Sequence, residues 1–161
     1  MQTSVRLQRK FLARIGVQTT VFAPKSANAL PDDDTVILPS RTISPNGEYS
    51  AVWDMDEALE VASAEFAKTK FDVIHLQGDF AAAALALALS KQYNIPLIHH
   101  AHTNIDVVLE RIIGKRLNAS LFNFAAKKYC EVAGLEKCKA KTGWEYMALT
   151  YPHADLVLAP S

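Results

Sequence analysis

The chain has 161 residues, 50% of them hydrophobic and 21% charged, with a formal net charge of +0. One domain with a sizeable core fits that length, and balanced charge argues against a nucleic-acid partner, which selects for a basic surface. The apolar run 80–89 is far short of the roughly 20 residues that span a bilayer, and Met1 leads into a polar, basic stretch that lacks the apolar core of a signal peptide; the chain reads as soluble and cytoplasmic.

Ser4 is placed to cap a helix carrying Val5, Leu7, Phe11, Leu12 and Ile15, spaced mostly three or four apart, with Gly16 as its stop. Residues 17–23 are rich in β-branched side chains and read as a strand closed by Pro24. A polar loop over 25–34 leads to a second strand at 35–38, and 39–46 is turn-rich. The next helix starts at Asp54 or Asp56, offers Ala58, Leu59, Val61, Ala62 and Phe66 to a core, and stops at 68–70. A compact strand, DVIHL (72–76), is followed by an alanine- and leucine-rich helix over 80–93, for which Asp79 is the expected cap. Asn94-Ile95-Pro96 breaks that helix before a strand at 97–100. A helical pattern then runs from 106 to about 128, interrupted near Gly114 or Asn118. Another helix is expected over 143–151, and ADLVLA (154–159) forms the last strand.

Strands alternating with helices define an α/β fold: a Rossmann-like parallel sheet with helices on both faces, forming a single domain over 1–161. The short apolar runs DVIHL and ADLVL fit strands buried on both sides. Such sheets usually open on a strand and a glycine-bearing loop, whereas this chain opens on a helix and closes on a strand with no covering helix. The expectation is a lobe incomplete at both ends. Cys130 and Cys138 are too few for a disulfide framework or a four-thiolate zinc site. A disulfide between them is one reading; two reduced, partly buried thiols in a reducing cytosol are the expected one.

Residues 71–106 read FDVIHLQGDFAAAALALALSKQYNIPLIHHAHTNID. A strand ending in Asp-Val-Ile-His, an alanine-rich helix, an Asn-Ile-Pro break and a strand leading into His-Thr resemble the N-terminal lobe of retaining GT-B glycosyltransferases of the family 4 type. HADLVLAPS (153–161) is similar to that family's later strand and serine segment, and VRLQRKFLARIGVQTTVFAP (5–24) to its first helix and second strand. The resemblance implies the acceptor-side lobe of a two-lobed enzyme. Sugar would pass from a nucleotide-sugar donor, held mainly by a C-terminal lobe, to a sugar or lipid acceptor, with no cofactor. The family's glycine-rich loop after its first strand and its whole C-terminal lobe are not in this sequence, so the chain by itself is not expected to transfer sugar. Two other readings compete: a non-catalytic flavodoxin-like or Rossmann-like binding module, and the lobe of a sugar-nucleotide epimerase. Neither a G-x-G-x-x-G nor a phosphate loop is present to favour the first.

His102 follows the strand PLIHH, at the carboxyl edge where open α/β sheets place ligands. The resemblance makes it the catalytic candidate, an imidazole able to bond a sugar hydroxyl or move a proton. Thr103 and Asn104 are expected to line the acceptor pocket, although Asn104 or Asp106 could cap the next helix. His75, Gly78 and Asp79 are further substrate-binding candidates; for His75 the plainer reading is a satisfied core histidine, for Asp79 a helix cap. The run HHAH suggests a metal, but successive strand residues point to opposite faces, so His99 and His100 cannot share one ion, and none is expected. Trp53 and Trp144 read as packing residues. The segment 107–129 mixes apolar residues with Arg111, Lys115, Arg116, Lys127 and Lys128. It reads as an inward-packing amphipathic helix with a solvated basic face. The resemblance adds a second role, contact with an anionic membrane surface.

Overall fold

A computed structural model describes residues 2–25, 34–42, 50–101 and 118–159, which divide into two units, Met1–Glu65 and Phe66–Ser161. In the first unit α1 (Gln2–Arg14) ends where the sequence places its stop. Gly16 adopts φ 81°, its N–H donating to Ala13 O at 3.1 Å while Val17 N–H reaches Leu12 O at 3.0 Å. That left-handed turn closes the helix and costs a residue without Cβ little. β1 (Val21–Pro24) pairs in parallel with β2 (Thr35–Leu38), starting at Val21↔Thr35. The Arg9 guanidinium draws the helix onto this pair, donating to Thr19 Oγ1 at 3.2 Å and Asp34 Oδ2 at 3.0 Å.

β3 (Ser40–Thr42) and β4 (Ser50–Val52) form an antiparallel pair, Ser40↔Val52 to Thr42↔Ser50. The first of them falls in a stretch expected to be turn. Three-residue strands carry no periodicity to read, and their pairing is non-local. α2 (Met55–Lys68) is capped as expected, Asp54 Oδ1 accepting from Glu57 N–H at 3.1 Å, and it buries Ala58 and Ala62 completely. Trp53 and, in the second unit, Trp144 are 65% and 58% exposed, so neither is the packing residue expected. The Arg41 guanidinium lies over the Trp53 ring at 5.8 Å.

The second unit is built on β5 (Ile74–Leu76), α3 (Ala81–Tyr93), β6 (Leu97–His100), α4 (Asn118–Ala133), α5 (Gly143–Met147), a 3-10 turn at Tyr151–His153 and β7 (Leu156–Leu158). Its strands are all parallel, in the order β5-β6-β7. α3 buries Ala83, Ala84, Leu85, Ala86, Leu87 and Leu89, and ends on Asn94 in the left-handed conformation. Lys91 Nζ donates to Ala133 O at 2.9 Å, a cation on the carbonyl end of α4. Asp155, from the family-like HADLVL, pins the start of β6: Oδ2 accepts from Leu97 N–H at 2.8 Å while its own N–H donates to Leu97 O at 2.9 Å. Phe122, Ala126, Tyr129 and Ala133 make up the buried stripe of α4, with Tyr146 and Met147 of α5 also buried. The Tyr129 hydroxyl donates to Thr150 Oγ1 at 3.0 Å inside this core.

Two expectations about these elements need correcting. ADLVL is not buried on both sides: Leu156, Val157 and Leu158 are 49%, 41% and 36% exposed, because among the described strands β7 has a neighbour on one side only. In β5, Val73 before it and His75 within it are also exposed, leaving Leu76 as its buried residue. The helix expected over 143–151 stops at Met147; Pro152 then fits the 3-10 turn, where no further α-helical hydrogen bond is asked of it.

Cys130 and Cys138 are joined by a disulfide, which corrects the expectation of two reduced thiols. Gly134 at φ 61° turns the chain after α4, Leu135 N–H returns to Cys130 O at 3.0 Å, and the two Cα atoms come within 5.7 Å, inside the range a disulfide spans. Closing so short a loop stabilises the fold by about 2.5 kcal/mol through lost freedom of the unfolded chain. Urea unfolding with and without a phosphine reductant is expected to show that loss; identical midpoints would mean the bond contributes nothing.

Candidate functional site

Because β5, β6 and β7 are parallel, their carboxyl ends share one edge, the position where open α/β sheets bind ligands. From β5 the chain continues through Gln77, Gly78 and Asp79 into α3. The cap of α3 is Phe80, at φ 55° and ψ −119°, with no side-chain capping bond. The capping reading of Asp79 is therefore corrected: it stands one residue before the cap, and its carboxylate is not spent on the helix. Phe80 O accepts from Ala83 and Ala84 N–H, at 3.1 and 3.3 Å.

A positive φ on an aromatic residue costs on the order of 1–3 kcal/mol and persists only where surrounding packing enforces it. Here the Phe80 ring lies 5.0 Å from that of Tyr146 and 6.4 Å from that of Phe122. Gly78 completes the turn, since a Cβ there would sit 3.2 Å from Ala82 Cβ. The anchored aromatic and the close glycine together set where Asp79 projects.

Asp79 meets β6. Its Oδ1 lies 3.9 Å from Nε2 of His99, with side-chain exposures of 13% for the aspartate and 1% for the histidine. The His99 ring also packs 5.0 Å from that of Tyr151. Burial, then Tyr129 and Asp79, raise the Tyr146 phenol above its ordinary value of 10.0; burial, then Asp79, raise Tyr151. Tyr129 is raised chiefly by burial. All three hydroxyls therefore keep their protons at neutral pH and can donate. With folded values raised above the unfolded 10.0, their contribution to stability is complete below pH 10 and is lost as pH rises beyond it. Denaturant unfolding repeated from pH 8 to 11 is expected to show the midpoint falling above pH 10, and less steeply in Tyr146→Phe.

The candidates thus separate by face. Asp79, which follows Gly78 in the turn, meets His99, and His99 packs on Tyr151. His75, on the opposite face of the sheet, is exposed and stacks on His100 at 5.8 Å with the rings 5° from parallel, so it is not the enclosed core histidine of the plainer reading. His99 and His100 do point to opposite faces, and among the described residues no three His, Cys, Asp or Glu side chains converge as a metal would need. His102, Thr103 and Asn104 lie outside the described residues. From sequence His99 stands out only as part of the metal-like run HHAH, and Tyr146 and Tyr151 do not stand out at all. Strand alternation was signal enough to place His99 opposite His100, but nothing local marks the tyrosines.

The described part of the basic segment, residues 118–129, packs Phe122, Ala126 and Tyr129 inward and leaves Phe124, Lys127 and Lys128 outward; 107–117 lies outside the described residues. Among the described residues no helix is long and apolar enough to cross a membrane.

Parallel strands alternating with helices, with polar groups at the carboxyl edge, define a Rossmann-like α/β lobe. The sequence pattern of Glycosyltransferase Family 4 matches residues 1–161, and the chain belongs to that family. Searches of curated proteins and of solved structures returned no match.

Proposed function

We propose that this chain is the acceptor-side, N-terminal lobe of a retaining GT-B glycosyltransferase, a single domain over 1–161 that works with a C-terminal lobe. The observation that carries the reading is the family match across all 161 residues, supported by a strand edge where Asp79, following Gly78, is freed from capping the helix. On this reading the C-terminal lobe holds the nucleotide-sugar donor, and this lobe binds a sugar or lipid acceptor. His102 sits at the reacting centre; Thr103, Asn104, His75, Gly78 and Asp79 bind the acceptor. Asp79 accepts a hydrogen bond from an acceptor hydroxyl, and the remote contacts hold the attacking oxygen in line with the donor carbon. Electrostatic stabilisation of the departing diphosphate falls to the partner lobe. The enzyme works in the cytoplasm, peripherally at the inner face of the membrane when its acceptor is a lipid.

The test is to assay the full-length protein with a panel of nucleotide sugars against lipid, glycan and small-molecule acceptors, reading the anomeric configuration of the product by NMR. Transfer with retained configuration is expected. An inverted product, or no transfer from any donor, would falsify the proposal. Flotation with anionic and neutral vesicles checks the membrane role, and equal, negligible binding to both removes it.

A further inference from the structure

We infer that His99 is a positioning residue: its Nε2–H fixes the Asp79 carboxylate in the orientation that receives an acceptor hydroxyl. This rests on the reading of Asp79 as an acceptor-binding residue, and it extends that site to a side chain no substrate touches.

His99 is 1% exposed, and neither ring nitrogen has a hydrogen-bond partner among the described residues. A buried polar group left in that state is destabilising, so an imidazole at this place on β6 needs a reason that an aliphatic side chain would not. Both ring nitrogens are buried, and among the described residues Nε2 faces the carboxylate of Asp79, with Oδ1 at 3.9 Å. That distance exceeds a hydrogen bond, and it is the loose geometry that tightens when a ligand closes a site.

The surroundings leave each partner little other choice. Asp79 cannot turn to cap α3, because Phe80 occupies the cap with its ring held by Tyr146 and Phe122. The His99 ring is confined by the Tyr151 ring at 5.0 Å and by its place on the central strand, paired to Leu76 and Val157. With Nε2 protonated, the N–H faces the carboxylate and leaves Nδ1 as an acceptor, which fixes the tautomer. Asp79, at 13% exposed, retains a path to solvent and presents its other oxygen to a ligand. The geometry therefore has an inner member that orients and an outer member that binds.

The test uses the full-length protein in four forms: His99→Leu, His99→Gln, Asp79→Asn and the Leu/Asn double variant. With wild-type enzyme active, His99→Leu is expected to raise the acceptor KM about tenfold, leaving kcat and the donor KM within twofold. His99→Gln, which keeps an N–H donor, should recover most of that loss. The double variant should be no worse than Asp79→Asn alone, because the two side chains act as one unit. A KM effect that adds in the double variant, or a loss of activity that only follows the loss of folded protein with KM unmoved, overturns the inference.

A readout independent of activity separates this from the function itself. In ¹⁵N–¹H spectra of the histidine side chains, His99 is expected as the Nε2–H tautomer, and Asp79→Asn should move its Nε2 resonance. If the wild type transfers no sugar yet that shift is seen, the enzymatic reading fails and the His99–Asp79 coupling stands. An Nδ1–H tautomer, or a resonance indifferent to Asp79→Asn, refutes the coupling whatever the enzyme does.

Discussion

Phe122→Ala is expected to destabilise the second unit by about 3–5 kcal/mol, the range for truncating a fully buried aromatic. Phe122 is 0% exposed on the buried stripe of α4, its ring 6.4 Å from Phe80 and 6.3 Å from Tyr146. Removing it loses the transfer energy of the ring and leaves a cavity that two other aromatics line. The loss has a second consequence, because the Phe80 ring is one of the anchors that keep its backbone at φ 55°. With that anchor weakened, Phe80 has less reason to stay in a conformation a side chain disfavours, and the turn that aims Asp79 relaxes. Urea unfolding should show a lower midpoint at unchanged slope. Phe124→Ala, two residues along and 63% exposed, is the control and should stay within about 0.5 kcal/mol of wild type. Equal effects from the two variants would mean that the inward face of α4 has been misassigned.

Local signals carried most of the fold. Gly16 ends α1, Asp54 caps α2 and Asn94-Ile95-Pro96 ends α3 because each acts through its own backbone within a few residues. The features that escaped depend on partners distant in the chain. Ser40–Thr42 becomes a strand only through Ser50–Val52, and the exposure of β7 follows from its position in the sheet, not from its apolar letters. The disulfide escaped for a different reason: two cysteines eight residues apart fit either thiols or a bond, and it is the left-handed turn at Gly134 that brings them together.

The site divided in the same way. That the carboxyl ends of parallel strands would gather Gly78 and Asp79 followed from α/β topology. That Asp79 would be released from capping did not, because it depends on Phe80 taking the cap under the hold of Tyr146 and Phe122, residues 66 and 42 positions further along. His99 shows the limit most sharply. Dismissing HHAH as a metal motif required recognising that His99 and His100 face opposite ways, and the same alternation placed His99 on the face that Asp79 turned out to share.

On the proposed function, His102→Ala should lower kcat/KM of the full-length enzyme by about 10²–10⁴, the usual contribution of a side chain that handles a proton or a reacting hydroxyl. That is about 3–5 kcal/mol of transition-state stabilisation. β6 ends at His100, and His102 follows two residues later in the sequence. If the imidazole acts on the reacting atoms, the loss should fall on kcat and kcat/KM alike, with folding unaffected, because an interaction made in the transition state is absent from the bound ground state. If it only binds the acceptor, the acceptor KM rises and kcat holds. His153→Ala, at the exposed end of the 3-10 turn, is the matched control and should leave both constants unchanged. Should His102→Ala remain within threefold of that control, the histidine has no part in the chemistry. The acceptor contacts of Asp79, oriented by His99, would then be the part of the site still to be tested.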